Sequence, residues 1–245
     1  MSKKFIIIGA SSGVGKALAL LLASQGHLVG IGARQADKLE TIKQLYPEKI
    51  KTKLIDVNNY QLANKQTKEL ITDLGGLDVL IISAGIGYQN PGLDLDKELK
   101  TIQTNVIGFV AIANLAFDYF VKQGSGQLIG ITSLMGIRGE QGAPAYAATK
   151  SFQGNYLEGL RQRANRLHLP ITVTEVQPGF MQTKMGEGDH VFWSAPLNKA
   201  AKQIAKAIAK KRDHVYITKR WFIIAWLLKI TPRGIYKKLR FSKDS

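Results

Sequence analysis

The sequence predicts a doubly wound parallel α/β sheet, built as one domain with a basic, apolar helical extension at its C-terminal end. Three observations carry this. Short apolar runs alternate with helix-periodic stretches over the first 217 residues, the pattern of strands joined by crossover helices. The run LDVLIIS at residues 77–83 is nearly continuous in apolar residues, as a strand covered on both faces requires. No repeat, low-complexity linker or shift in composition interrupts the pattern before the tail, and 245 residues suffice for one large domain with a sizeable core.

The elements follow in order. Residues 4–8, KFIII, read as the first strand and residues 15–25 as the first helix. Strands are expected at 27–33 and 51–56, each followed by a helix, over 36–45 and 60–74. After the apolar strand at 77–83 comes one long helical stretch, 96–122. A strand at 126–132, a long helix at 145–167, a strand at 171–177, a helix at 199–211 and a short strand at 214–217 complete the body. The body is assigned to residues 1–218 and the extension to residues 219–245.

Composition excludes some chemistry. The chain has no cysteine, so disulfides, Cys-ligated zinc and thiol catalysis are ruled out. A chain without cysteine fits a reducing, cytoplasmic setting. The apolar run at residues 5–8 is too short for a signal segment or a membrane span, so no cleaved signal is expected. Net charge is +16, unevenly spread. From Lys199 onward there are 14 Lys/Arg against 2 Asp, a balance of +12, which leaves +4 for the first 198 residues. Such asymmetry points to an anionic surface as partner, or to a solvated basic face.

The strand ends carry the candidate binding residues. The first strand runs into GASSGVG, with Gly9, Ser11, Ser12, Gly13, Val14 and Gly15 between a strand and an apolar-periodic helix. Glycines there let the backbone approach a pyrophosphate, which meets the helix N-terminus. The spacing is G-x-x-x-G-x-G, and on its own such a turn is a weak signal. The second strand ends at Arg34, with no carboxylate until Asp37. A guanidinium there pairs with the 2′-phosphate of NADP, so NADP(H) is expected over NAD; the other reading is a solvent-facing arginine. Asp56 and Val57 end the third strand. They could meet an adenine ring, or Asp56, Asn58 or Asn59 could cap the next helix. Ser83, Ala84 and Gly85 are small, as a chain passing close to a cofactor must be. In PAYAATKSF, Tyr146 and Lys150 stand four residues apart. As a pair they fit either an exposed helix face or a proton-transfer device.

Taken in order, Gly9-Ala-Ser-Ser-Gly13-Val-Gly15, Ser83-Ala84-Gly85, Asn105, Ser133, Tyr146-Ala-Ala-Thr-Lys150 and Pro178-Gly179 resemble the short-chain dehydrogenase/reductases over about residues 3–218. The resemblance implies a Rossmann fold and a tetrad of Asn105, Ser133, Tyr146 and Lys150. Ser83 departs from it, since the family usually has Asn there. Tyr146 would give or take the proton that accompanies hydride transfer between a carbonyl and an alcohol. An ammonium one turn away favours tyrosinate and lowers a hydroxyl pKa of about 10. Ser133 would hold the substrate oxygen. Asn105 would support a water linking Lys150 to solvent. Taken singly, Asn105 is also explained as a helix kink and Ser133 as a strand-end turn. The resemblance further implies a homodimer or homotetramer paired through residues 96–122 and 145–167, and a contact of Thr183 with the nicotinamide carboxamide.

Residues 184–197 would then form a loop over the substrate, with Met181, Met185, Val191, Phe192 and Trp193 in or beside it. Ile86, Met135 and Ile137 are candidates for the same pocket. These side chains suggest a hydrophobic ketone, aldehyde or alcohol, or they pin the loop to the body. In the tail, the apolar run at residues 221–230 is too short to span a bilayer and is flanked by Lys219, Arg220, Lys229, Arg233, Lys237, Lys238 and Arg240. Through residues 219–243 this is the pattern of a helix lying in a membrane interface, where anionic lipid adds about 1 kcal/mol per basic residue. It equally fits a helix packed on its own domain or on a partner subunit, covering the substrate pocket, and the two readings are compatible if the substrate is lipid-like. The tail shows no nucleic-acid-binding module. The expectation is a cytoplasmic oxidoreductase, peripheral to the inner face of a membrane if the tail docks there. The alternative is a non-catalytic NADP-binding regulator or membrane-docking protein on the same fold.

Overall fold

The computed structural model describes residues 2–181 and 194–238. Seven strands, β1 (Lys4–Ile8), β2 (Leu28–Ala33), β3 (Ile50–Leu54), β4 (Val79–Ile82), β5 (Gly126–Ile131), β6 (Ile171–Pro178) and β7 (His214–Ile217), form one sheet. Its order is β3-β2-β1-β4-β5-β6-β7, and every pair is parallel. This is a Rossmann-like α/β fold.

The sheet is buried on both faces, so the strands need apolar residues in both phases of the two-residue repeat. In β1, Phe5 and Ile7 face a core shared with α1 (Gly13–Ser24), α2 (Ala36–Gln44) and α7 (Leu197–Ala209). Ile6 and Ile8 face the opposite core, built with α3 (Tyr60–Asp73), α5 (Phe109–Gln123) and α6 (Pro144–Arg166). β4 splits in the same way, with Val79 and Ile81 on the first core and Leu80 and Ile82 on the second. Each fully buried Ile contributes about 1.5–3 kcal/mol, so the paired cores account for most of the drive to form the sheet.

The chain leaves β1 toward β2 on one side and returns to β4 on the other. Ligands of doubly wound sheets bind in the crevice that this reversal opens at the carboxyl ends of the strands. Gly9, Arg34, Asp56, Ser83, Ser133 and Pro178 all lie at or just past those ends.

The structure changes one expected element. The single helix expected over residues 96–122 is α4 (Leu95–Ile102) and α5, joined by a π-helical turn over Gln103–Gly108. A π turn inserts one extra residue per turn, and such insertions concentrate at functional sites. By length and composition the stretch Leu95–Gln123 is apolar enough to cross a bilayer, but half of its most apolar window is buried inside the protein. It reads as a core helix. Two further helices lie in the tail, α8 (Trp221–Ile230) and α9 (Arg233–Tyr236).

Candidate active site

Two helices and two strand ends bring the site together. Ser133 follows β5 in extended geometry and caps a 3₁₀ turn over Leu134–Ile137, its hydroxyl accepting from the Met135 N–H at 3.2 Å. Its carbonyl accepts from Gln177 Nε2 of β6 at 3.1 Å, and Gln177 Oε1 lies 3.0 Å from His214 Nε2. Ser133 is therefore held through both its hydroxyl and its carbonyl. Tyr146 lies in the first turn of α6, and its side chain interacts with that of Ser133.

Lys150, one turn further along α6, is buried. Its ammonium lies 5.7 Å from the centre of the Tyr146 ring and donates to the Ile131 carbonyl at 3.1 Å and to Gln153 Oε1 at 2.9 Å. Burial without a counter-charge lowers its pKa from 10.5 to about 8. For Tyr146, burial pushes the hydroxyl pKa up, and the Ser133 hydrogen bond opposes that in part. The lowering of the tyrosine pKa expected from Lys150 is not found in the protein alone, where burial dominates.

Asn105 occupies the π turn and is fully buried. Its amide both accepts from the Ile86 N–H (2.9 Å) and donates to the Ile86 carbonyl (2.7 Å), with a further contact to Thr149 Oγ1 at 3.1 Å. It clamps the chain after β4 beside the catalytic helix. The Asn105 carbonyl accepts from Gln153 Nε2 at 2.8 Å. Sequence reasoning missed Thr149 and Gln153. For Gln153 the spacing was the available signal, because residue i+3 shares a helix face with Lys150.

The turn after β1 suits a dinucleotide. Gly9 has φ +90°, and its N–H donates to the Gly32 carbonyl at 2.7 Å. A Cβ on Gly9 would collide with the backbone of Ala84, and one on Gly15 with the Gly9 carbonyl oxygen. The glycines therefore allow the turn to fold tightly onto itself and onto the end of β4. At the N-terminus of α1, Ser12 makes no side-chain cap and no acidic residue sits in the first turn. Those first N–H groups, with the positive end of the helix dipole, suit a pyrophosphate. Arg34 immediately follows β2, is exposed, and makes no ion pair among the described residues. Asp56 is exposed and accepts from the Asn58 N–H at 3.0 Å, while Asn59 caps α3 by accepting from Leu62 N–H at 3.2 Å. Val57 is buried against the π turn at Gly108. Ser83 and Ala84 both donate their N–H groups to the Ile8 carbonyl, at 2.8 and 2.9 Å. Gly85 lies beside Lys150 and Asn105. Pro178 ends β6, and Gly179 N–H donates to the Ile217 carbonyl at 2.8 Å. Thr183, with most of the expected substrate loop, lies outside the described residues.

A short chain dehydrogenase family model matches residues 3–192. The chain belongs to the short-chain dehydrogenase family. A Mycobacterium tuberculosis relative, described as an uncharacterized oxidoreductase, is 36% identical over 192 residues, covering 75% of each chain. Another uncharacterized oxidoreductase, from Myxococcus xanthus, is 30% identical over 185 residues, covering 74% of this chain and 72% of the relative. Among solved structures, ElxO with NADP bound aligns at a TM-score of 0.79 and 23% identity, covering 89% of this chain and 97% of that one. A short-chain dehydrogenase from Streptomyces avermitilis aligns at 0.80 and 22% identity over 93% of both chains. Within this family of oxidoreductases, Ser133, Tyr146 and Lys150 form one connected cluster, and Asn105 joins it through Thr149 and Gln153.

Proposed function

We propose that this protein is an NADP(H)-dependent oxidoreductase that interconverts a carbonyl and an alcohol on a hydrophobic small molecule, working in the cytoplasm, with Tyr146 as its acid and base. The observation that carries this reading is the Lys150 ammonium, buried 5.7 Å from the ring of Tyr146, whose side chain interacts with Ser133. A bound reduced nicotinamide supplies the hydride. Ser133 orients the substrate oxygen, and Tyr146 gives that oxygen its proton as the carbonyl carbon accepts the hydride. A tyrosine whose pKa is raised by burial is protonated at neutral pH, the form that can give a proton to the substrate oxygen.

The cofactor is NADP(H) on the strength of Arg34, exposed at the end of β2 without a carboxylate beside it, and ElxO, which binds NADP, supports the same choice. Gly9, Ser11, Ser12, Gly13, Val14 and Gly15 would hold the pyrophosphate. Asp56 and Val57 would meet the adenine, and Ser83, Ala84, Gly85, Pro178, Gly179 and Thr183 the ribose and nicotinamide. Ile86, Met135 and Ile137, all partly buried, favour an apolar substrate if they line its pocket. Leu95, Leu99 and Ile102 recur along one exposed face of α4, with Phe152 exposed on α6, which supports pairing of subunits through these helices.

Thermal unfolding with NADPH, with NADH and with neither tests the reading, because a ligand bound to the folded state raises stability by mass action. A larger shift with NADPH, followed by NADPH oxidation on a panel of apolar ketones and aldehydes, is the expected result. No shift with either cofactor would favour a non-catalytic protein on this fold.

A further inference from the structure

The helix α8 is apolar on every side, WFIIAWLLKI. Such a helix is normally buried all round, yet this one is not. Trp221 and Ala225 are buried against Leu134, with Ile137, Tyr216 and Ile224 around them. Phe222, Ile223, Trp226, Leu227 and Ile230 point the other way and are 45–61% exposed. Their spacing of one, three, one and three residues keeps them on one helix face. Ile235 of α9 adds a further apolar side chain, 57% exposed. Exposed Lys219, Arg220, Lys229, Arg233, Lys237 and Lys238 surround this face. No Asp or Glu occurs anywhere from His214 to Lys243.

We propose that the outer face of α8 and α9 docks this protein onto an anionic lipid surface, at the cytoplasmic side of a membrane. The charge decides the occupant. A face that pairs with a second copy of itself would bring these cations together with no carboxylate between them. Anionic headgroups supply counter-charge to these cations while the acyl boundary takes up Phe222, Ile223, Trp226 and Ile230. The position of the face matters as well. Arg138, five residues after Ser133, donates to the Leu228 and Thr231 carbonyls at 3.1 and 2.9 Å and so fixes the end of α8. Trp221 lies against Gly179, where an added Cβ would collide with its ring. The docking face is thus joined rigidly to the substrate side of the site. Resting on the proposed reading of that site, this makes the hydrophobic substrate a lipid-like molecule drawn from the membrane.

Flotation with vesicles of mixed phosphatidylglycerol and phosphatidylcholine, against phosphatidylcholine alone, tests the docking without using activity. Binding to the anionic vesicles at low salt is expected, weakened by high salt. The double variant Ile223→Glu/Trp226→Glu, altered only at exposed positions, should bind about tenfold more weakly or worse, with its NADPH-induced thermal shift unchanged. Absence of vesicle binding overturns the proposal. So does a self-associated protein that becomes monomeric in the double variant, since a second copy would then occupy the face.

A different observation carries a second inference. Gln153 is fully buried and its amide is spoken for at both ends, by the Lys150 ammonium and by the Asn105 carbonyl. Lysine can only donate and a carbonyl can only accept, so the amide has one orientation. The geometry points to Gln153 as a positioning residue that holds the Lys150 ammonium beneath Tyr146 and ties it to the π turn. The test is the titration of Lys150 itself, followed by NMR of ¹³C-labelled lysine in the cofactor-free protein and assigned with Lys150→Arg. Gln153→Leu should move that titration to lower pH and Gln153→Glu to higher pH, each by about half a unit or more, because one removes an acceptor of the charge and the other adds a carboxylate. The alkaline limb of the pH–rate profile should follow in the same directions. If both variants lose thermal stability while the Lys150 titration stays put, Gln153 is core filling and the inference is wrong. That outcome leaves the proposed catalysis untouched, whereas failure of the catalysis would show as inactivity in the wild type.

Discussion

Glu98 of α4 accepts a hydrogen bond from the backbone N–H of Ala145 at 3.1 Å, one residue before Tyr146. No acidic residue lies in the first turn of α6 itself. A carboxylate brought in across 47 residues of sequence therefore caps that helix and complements its dipole. The other Glu98 oxygen accepts from Asn90 Nδ2 at 2.6 Å, so the carboxylate also fixes the chain that follows β4. Glu98→Ala should cost about 1 kcal/mol of stability and lower kcat more than it changes KM, because the start of the tyrosine helix loosens. Glu98→Gln, which keeps an acceptor, should recover most of the turnover. Equal losses in the two variants would mean that the charge matters and the geometry does not.

Tyr146→Phe removes the hydroxyl that interacts with Ser133 and keeps the ring. Turnover should fall roughly a hundredfold to ten-thousandfold, the usual worth of a positioned acid or base. NADPH should still raise the unfolding temperature of the variant. Near-normal turnover would move the acid role away from Tyr146.

Arg34 is exposed and sits where the cofactor's adenosine end is expected. Arg34→Ser should weaken NADPH binding by roughly ten- to a hundredfold, the worth of a charge-assisted hydrogen bond of about 1.5–3 kcal/mol. NADH binding should hardly change. Titration of the protein's intrinsic fluorescence with both cofactors measures the ratio directly, and a parallel loss for both would make Arg34 a bystander.

The parts legible in the sequence were local. The strand ends, the glycine turn and the Tyr146–Lys150 spacing depend on residues close in the chain, and they lie where the sequence places them. The π turn at Gln103–Gly108 was not legible, because one inserted residue barely disturbs an apolar pattern that continues on both sides. Gln153 was hidden for another reason. Its partner carbonyl belongs to Asn105, 48 residues earlier, and a main-chain atom leaves no mark in residue identity. In the tail, α8 packs one face on the body and exposes the other, a division that a helix apolar all round does not announce.

The pH dependence of stability follows from Lys150. In an unfolded chain it titrates near 10.5, and burial lowers this to about 8 in the folded protein. Between those values the unfolded state binds more protons, so stability rises with pH through this window. Below pH 8 the buried charge opposes folding by its full amount, at most about 3 kcal/mol. Lys150→Met has no charge to bury. Urea unfolding of both proteins across this range should show the wild type gaining on the variant as pH rises. A difference independent of pH would mean that the hydrogen bonds to Ile131 and Gln153 already satisfy the ammonium.

Trp221 connects the tail to the site. It is buried, its ring lies 5.8 Å from that of Phe180, and it covers Gly179 at the end of β6. Trp221→Ala would empty this contact and leave α8 without its main anchor, at a cost of about 3–5 kcal/mol typical for a large buried aromatic. Truncation before Lys219 should destabilise the protein comparably, since it removes the same side chain along with Ala225. Both changes uncover Leu134, which adjoins Ser133, so turnover should fall even where the protein remains folded. Calorimetry of the full chain, the truncated chain and Trp221→Ala separates the possibilities. If truncation leaves the unfolding temperature unchanged while Trp221→Ala lowers it, the loss comes from the unanchored apolar helix left behind and not from the missing Trp221 contact. If neither change matters, α8 is an appendage whose role lies wholly outside the body.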